Sequence, residues 1–274
     1  MKRLQSPKVC AALIMIAWLA TLTSYWGMEV ARGKAIGGDA SCSGEDLEGK
    51  AVQLEMVSKA DDEVLKTLIG NEGKAPCIRG RLAKVIAADY LFIPSYSALT
   101  LAFFLFVRSL RAGQPSLQNL LVALGVLLAL TMAIGDIVEN GHLLQLIKLA
   151  GQESLPQIDA EFLSDLKTAA NVKMGALALA SLILGALWPS RSRWVLALRL
   201  FGFAAAALFA ASMVLDLRKE MLDIFDFQIR DWNAATDGMI AFAAFTLTAL
   251  IHAIATMADR EQYSVALAAG DPKP

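Results

Sequence analysis

The sequence is poor in the residues that build metal centres and covalent active sites. It contains only three cysteines and two histidines in 274 residues. No His-Glu-x-x-His, Gly-x-Ser-x-Gly or Cys-x-x-Cys motif occurs, and the glycine-rich stretch at 32–38 lacks the Gly-Lys-Ser/Thr end of a phosphate loop. The motifs therefore give no support to a zinc hydrolase, an α/β-hydrolase, a dithiol oxidoreductase or a nucleotide-binding enzyme.

Charge is also scarce. Only 19% of the residues are charged and the net charge is −1, with no basic face, so we expect no nucleic-acid partner. Instead, 56% of the residues are hydrophobic and the mean hydropathy is +0.51. A soluble domain of this composition could not cover its apolar surface with polar side chains. This composition therefore predicts a protein embedded in a lipid bilayer.

Six stretches are long and apolar enough to cross a bilayer, which takes about 20 residues. They lie between charged residues at 9–28, 85–107, 112–135, 174–190, 194–215 and 238–258. The fourth is predicted to begin earlier, near Ala169. The sequence therefore predicts an all-α, polytopic integral membrane protein with six transmembrane helices in a bundle, of which residues 84–259 form a five-helix part.

The first apolar stretch has two interpretations. Its basic start suits either a cleaved signal peptide or a membrane anchor. The run of 20 apolar residues is long for a signal peptide, and no clear Ala-x-Ala cleavage site follows it. Tyr25 and Trp26 lie where an interfacial aromatic belt is expected. We therefore predict that residues 1–28 are an uncleaved N-terminal transmembrane anchor.

Basic residues in the short loops predict the orientation. Arg108 and Arg111 follow the second span, Arg191 and Arg193 follow the fourth, and the N-terminus is basic. All three groups lie on one side if the N-terminus is cytoplasmic, as the positive-inside rule requires. The sequence thus predicts a cytoplasmic membrane, of bacterial type, with both termini inside. Residues 260–274 are predicted to be a disordered cytoplasmic tail.

Residues 29–83 would then form a small extracytoplasmic segment between the first two helices. It contains Cys42 and Cys77, which would lie in an oxidising compartment where paired cysteines commonly form a disulfide. The bridge would close a loop of about 35 residues and contribute about 3–4 kcal/mol. The alternative is two unrelated free thiols. Two further outer stretches, 142–149 and 217–232, are amphipathic and are predicted to lie in the membrane interface.

Polar side chains of four spans meet at the extracytoplasmic end in this topology. The cluster consists of Asp89 and Tyr96 on the second span, Asp136, Glu139 and Asn140 on the third, Asn171 and Lys173 on the fourth, and Asp216 on the fifth. The i, i+3, i+4 spacing places the three polar residues of the third span on one helix face. Ionisable groups at membrane depth are costly and usually mark a site, so this cluster is the candidate site.

Three interpretations of the cluster are open. Its carboxylates cannot all ionise cheaply without a nearby cation, and Lys173 is the expected partner of Asp136 or Asp89. A divalent cation is the second solution, with Asp89, Asp136 and Glu139 as weak candidate ligands; no other cofactor is predicted. In the third, Asp136, Glu139 and Asn140 only cap the third helix in the headgroup region, and Lys173 extends towards water.

Three functions are compatible with these residues. The first is a membrane accessory protein, or a protein that binds a small ligand or cation, with a membrane-protein partner or a second copy of the chain. The second is a membrane-embedded enzyme on a lipid-like substrate, with Asp89 or Asp136 as general base and Lys173 as electrostatic stabiliser. The third is a small transporter, which the apolar inner halves of the spans disfavour. His252, inside the last span, is expected to bond a neighbouring helix.

Overall fold

The computed structural model describes residues 6–31, 75–111, 114–151, 160–188, 193–222 and 240–255. These residues form α-helices and no β-strand. In chain order the helices are α1 (Pro7–Ala31), α2 (Ala75–Ser109), α3 (Pro115–Ala150), α4 (Ala160–Leu187), α5 (Arg193–Leu222) and α6 (Ile240–Ala255).

The predicted all-α, polytopic class is confirmed. Within the described residues, α1 to α4 are each long and apolar enough to cross a membrane. The other two helices contribute shorter apolar stretches, Leu196–Ala211 in α5 and the whole of α6. Each of α1 to α4 packs against the next helix in the chain. From α2 to α5, residues near the start of one helix contact residues near the end of its neighbour in the chain, as in Arg79 with Ala150 and Trp188 with Arg199, so these four helices alternate in direction. The described residues thus form a helical membrane bundle.

A cluster of aromatic side chains around Trp188 forms the centre of the bundle core. The Trp188 side chain is fully buried, and its ring lies 5.6 Å from that of Phe106, 6.0 Å from that of Phe103 and 6.2 Å from that of Phe245. Its indole Nε1 donates a hydrogen bond of 3.3 Å to Nδ1 of His252. The expectation that His252 bonds a neighbouring helix is confirmed, since the contact joins α6 to the end of α4.

Two glycines of α3 mark close approaches of the neighbouring helices. A Cβ atom added to Gly125 would lie 2.7 Å from Cβ of Phe104 in α2. One added to Gly135 would lie 3.2 Å from the carbonyl oxygen of Ala169 and 3.2 Å from the amide nitrogen of Lys173, both in α4. The missing side chains therefore let α2 and α4 pack directly on the backbone of α3.

The central helices extend well beyond the predicted spans. α2 begins at Ala75 rather than near residue 85, α3 continues to Ala150, and α4 begins at Ala160 rather than near Ala169. At 1.5 Å per residue, α2 and α3 are about 52 and 54 Å long, against about 30 Å of bilayer hydrocarbon. Residues 142–149 are not an outer loop as predicted, because they form the last turns of α3. Their location in the membrane interface stays a prediction.

Beyond the charged residues, α2, α3 and α4 pack into a second apolar unit. We call it the three-helix extension, formed by residues 75–88, 141–150 and 160–170. Its core consists of Ile78, Leu82, Ile86, Leu143, Leu146, Ala150 and Leu166. The buried side chain of Arg79 donates to the carbonyl oxygen of Ala150 at 3.5 Å, and so caps the C-terminus of α3 with a cation.

Several predictions concern residues outside the described part. These are the extracytoplasmic segment from residue 32 to 74, the stretch 223–239, the tail 260–274, and the side chain of Asp216. Cys77 is half-buried and disulfide-bonded, whereas Cys10 is a buried thiol that takes part in no disulfide. Because Cys42 lies outside the described residues, its pairing with Cys77 stays a prediction.

Candidate functional site

Three polar residues on one face of α3 form the centre of the candidate site. Asp136, Glu139 and Asn140 are all buried, with 5%, 1% and 4% of their surfaces exposed. Their spacing of three and four residues turns them towards the same side of the helix. Together with side chains from α2 and α4 they form what we call the charged layer: Asp89, Tyr96, Asp136, Glu139, Asn140 and Lys173.

Lys173 of α4 contacts two of the three carboxylates of the charged layer, those of Asp136 and Glu139. Its Nζ atom lies 2.8 Å from Oδ1 of Asp136, to which it donates a hydrogen bond. It also forms an ion pair with Glu139, with 2.5 Å between Nζ and Oε2. Only 12% of the lysine side chain is exposed. The close approach of α4 at Gly135 places the lysine backbone within reach of this face of α3.

Tyr96 of α2 completes the environment of Asp136. Its hydroxyl donates a hydrogen bond of 2.6 Å to Oδ2 of Asp136, and the tyrosine hydroxyl oxygen also lies 3.4 Å from the carbonyl oxygen of Met132. The tyrosine side chain is buried. Asp136 therefore accepts one hydrogen bond from α2 and one from α4, and its carboxylate connects three helices.

A second polar bridge joins α2 to α3. The side-chain amide of Asn140 donates to Oδ2 of Asp89 at 2.7 Å. Of the two partners expected for Lys173, the structure therefore shows Asp136, while Asp89 bonds an amide. Asn171 lies about 200° around α4 from Lys173, and its side chain joins none of the hydrogen bonds that the described residues make within the layer.

The interpretation of Asp136, Glu139 and Asn140 as a cap on the third helix is wrong. α3 continues for ten residues past Asn140, to Ala150. Apolar cores lie on both sides of the charged layer: the bundle core includes Ile93 and Met132, and the core of the three-helix extension lies beyond. Lys173 likewise points to the two acids rather than to the surface.

Helix lengths give the depth of the charged layer. Tyr96 lies 13 residues before the end of α2, and Lys173 lies 14 residues before the end of α4. At 1.5 Å per residue both are about 20 Å from those helix ends. Asp89, 20 residues before the end of α2, and Asp136, 21 residues after the start of α3, are about 30 Å from this end of the bundle. A hydrocarbon slab of about 30 Å that began there would contain Tyr96 and Lys173, and its far boundary would lie at the level of Asp89 and Asp136. The three-helix extension would then project from the opposite face.

The divalent-cation interpretation gains no support. Among the described residues, no group of three His, Cys, Asp or Glu side chains could hold a metal ion. The ammonium group of Lys173 lies at the point where Asp136 and Glu139 converge. The oxygen ligands that Mg²⁺ or Ca²⁺ would need are thus already engaged with an internal cation.

Sequence reasoning missed the polar groups that stabilise helix ends. Arg79 caps α3, and at the other end of the bundle Arg111 and Arg199 donate to the last carbonyl groups of α4. Arg79 and Arg199 lie near the starts of α2 and α5, and Arg111 follows the end of α2, so each reaches carbonyl groups at the C-terminus of another helix, where a cation is favoured. The sequence signal was only that each arginine lies close to the end of an apolar stretch.

No protein-family model, curated protein or solved structure matches the chain.

Proposed function

We propose that this chain is a membrane accessory protein without catalytic activity. The charged layer fixes the register of α2, α3 and α4, and thereby supports the three-helix extension as a docking surface for a membrane-protein partner or a second copy of the chain. One observation carries the proposal: Lys173 contacts Asp136 and Glu139 at the same time, and both carboxylates are almost completely buried.

Each contact within the charged layer joins two different helices. Lys173 joins α4 to α3, while Tyr96 and Asp89 join α2 to α3. Burying charges is costly, but removing one partner of a buried pair costs about 3–5 kcal/mol, because the other charge stays behind. Any shift of one helix by a turn would break these contacts, so the layer favours a single register.

The same contacts disfavour the enzyme hypothesis. Asp136, one of the two candidate bases, accepts hydrogen bonds from both Tyr96 and Lys173. A general base needs a lone pair directed at the substrate proton, at about 2.6–3.2 Å. Lys173, the candidate electrostatic stabiliser, is held by two carboxylates. A substrate would have to displace these internal partners before chemistry could begin.

A second candidate function is the binding of a proton or a small monovalent cation. The observation in its favour is that two carboxylates from one helix face converge on one ammonium group. Protonation of either acid would weaken its attraction to Lys173 and loosen α4 from α3. Carboxylate pairs that share one site are a recognised way of taking up a proton.

A rescue experiment with a single and a triple variant tests the register function. We expect Lys173→Met to destabilise the protein by about 3–5 kcal/mol, because it leaves two buried acids without the ammonium group. Adding Asp136→Asn and Glu139→Gln should restore most of that loss, since neutral polar groups cost far less to bury. Thermal unfolding in detergent, followed by tryptophan fluorescence, measures the difference. A triple variant no more stable than the lysine variant would refute the register role.

The same variants distinguish the two functions. If the charged layer binds a monovalent cation, the wild-type melting temperature should rise with Na⁺ or K⁺ at constant ionic strength, and the Glu139→Gln variant should lose that rise. If its role is to fix the register, the two cations should have equal effects on all variants. A proton site would show as proton release on unfolding near neutral pH, and Glu139→Gln should abolish that release.

Localisation in a bacterial cytoplasmic membrane with both termini inside is part of the proposal. The basic loops that follow α2 and α4 support it. The orientation places the three-helix extension on the extracytoplasmic side, where a partner would have to dock. An alkaline-phosphatase fusion at residue 60 should be active, and an inactive fusion would overturn this orientation.

A further inference from the structure

Three arginines lie at the end of the bundle opposite the charged layer. Arg108 is in the last turn of α2, and Arg111 follows one turn later in the connection to α3. Arg199 is in the second turn of α5, which begins at the same end. All three side chains are half-buried, so they belong to the surface where the bundle ends rather than to a solvated loop.

Two of these guanidinium groups meet at the C-terminus of α4. Arg111 donates from Nη2 to the carbonyl oxygen of Leu187 at 2.8 Å, and Arg199 donates from Nη2 to that of Trp188 at 3.2 Å. The two carbonyls belong to consecutive residues, so cations from different elements of the fold converge on one point. The negative end of the α4 dipole favours them there.

Within the part of the chain that the structure describes, no carboxylate balances the positive charge of this group. None of the three arginines forms an ion pair with a carboxylate in the described part of the chain. The Nε atoms of Arg108, Arg111 and Arg199 are buried and have no hydrogen-bond partner. An arginine has five N–H donors, and Arg111 and Arg199 each use one for a carbonyl group. The remaining N–H donors of these arginines are the groups that an anion would bind.

The surroundings indicate what kind of anion it is. Leu196 and Leu200 lie on either side of Arg199 in α5 and are 63% and 60% exposed, as expected of a lipid-facing helix surface. Guanidinium groups bind phosphate oxygens in pairs, and basic pockets between transmembrane helices bind acidic head groups. We infer that Arg108, Arg111 and Arg199 bind the phosphate of an anionic phospholipid, whose acyl chains lie along the apolar face of α5.

Lipid-dependent melting of the full-length protein in detergent tests the inference. Phosphatidylglycerol should raise the melting temperature, whereas phosphatidylcholine and soluble glycerol phosphate at equal concentration should not. The concentration of phosphatidylglycerol that gives half of the maximal rise in melting temperature should increase about fivefold in Arg111→Gln and in Arg199→Gln. Arg111→Lys and Arg199→Lys, which keep the charge, should retain most of the rise in melting temperature. They are the variants to measure if a glutamine variant does not fold.

Arg79 provides the matched control. It also donates to the last carbonyl group of a helix, that of Ala150, but at the opposite end of the protein. Arg79→Gln should lower the basal melting temperature as the other cap variants do, and leave the phosphatidylglycerol shift intact. An equal shift with phosphatidylcholine, a full shift with glycerol phosphate alone, or an equal loss of the shift in Arg79→Gln would each overturn the inference.

Discussion

Three glycines of α3 provide a graded test of how closely the helices pack. Replacing each with alanine adds the same methyl group to the same helix. The new Cβ atom would lie 2.7 Å from Cβ of Phe104 at Gly125 and 3.2 Å from backbone atoms of α4 at Gly135, with nothing within 4 Å at Gly141. The predicted order of stability is therefore Gly141→Ala first, Gly135→Ala second and Gly125→Ala last.

The magnitudes follow from two opposing effects. Alanine is better than glycine in a helix interior by about 0.8–1 kcal/mol, and Gly141→Ala should gain that amount. Overpacking costs about 1–3 kcal/mol, so Gly125→Ala, where Phe104 must move, should lose up to about 2 kcal/mol net. At Gly135 the neighbours need to yield only a few tenths of an ångström, but two of them are backbone atoms, and the effects should nearly cancel.

Thermal and denaturant unfolding of the three variants in one detergent would measure these differences. Because all three changes are Gly→Ala in one helix, the difference between variants isolates the packing contribution from the helix propensity. A Gly125→Ala variant as stable as Gly141→Ala would refute the described contact between α2 and α3. A Gly135→Ala variant more stable than Gly141→Ala would do the same for α3 and α4.

Two further substitutions test individual contacts. Tyr96→Phe should cost about 1.5–3 kcal/mol, since it removes a hydrogen bond to the buried Asp136 carboxylate; an unchanged unfolding free energy would contradict that contact. Cys77→Ser should cost about 3–4 kcal/mol, Cys42→Ser the same, and the double variant no more than either one. Additive losses, or Cys42→Ser having no effect, would show that the two cysteines are not paired.

The sequence predicted the helices more reliably than where they end. Charge was treated as the end of a span, so Asp136, Glu139 and Asn140 were expected to lie near the outer end of the third helix. However, hydropathy reports which residues lipid can solvate, whereas a helix ends where its backbone hydrogen bonds stop, and α3 continues to Ala150. The three-helix extension was missed for this reason: its amphipathic turns resemble interfacial segments when the helix is assumed to have ended.

The charged layer was predictable in composition but not in pairing. Spacing along α3 and the alternation of helix directions brought Tyr96, Asp136 and Lys173 to one depth. The choice of Asp136 and Glu139 over Asp89 as partners of Lys173 depends on the rotation of each helix about its axis. Close contact at Gly135 sets that rotation, and no pattern in a single sequence reports it.

The uninterrupted length of α3 couples bilayer thickness to the position of the three-helix extension. A transmembrane helix that meets a thinner membrane commonly tilts, and the part outside the bilayer must follow because α3 has no break between Pro115 and Ala150. For a rod of about 54 Å, a change in tilt of about 10° moves the far end sideways by about 9 Å. The local thickness of the membrane would therefore determine the position at which the three-helix extension can contact neighbouring proteins.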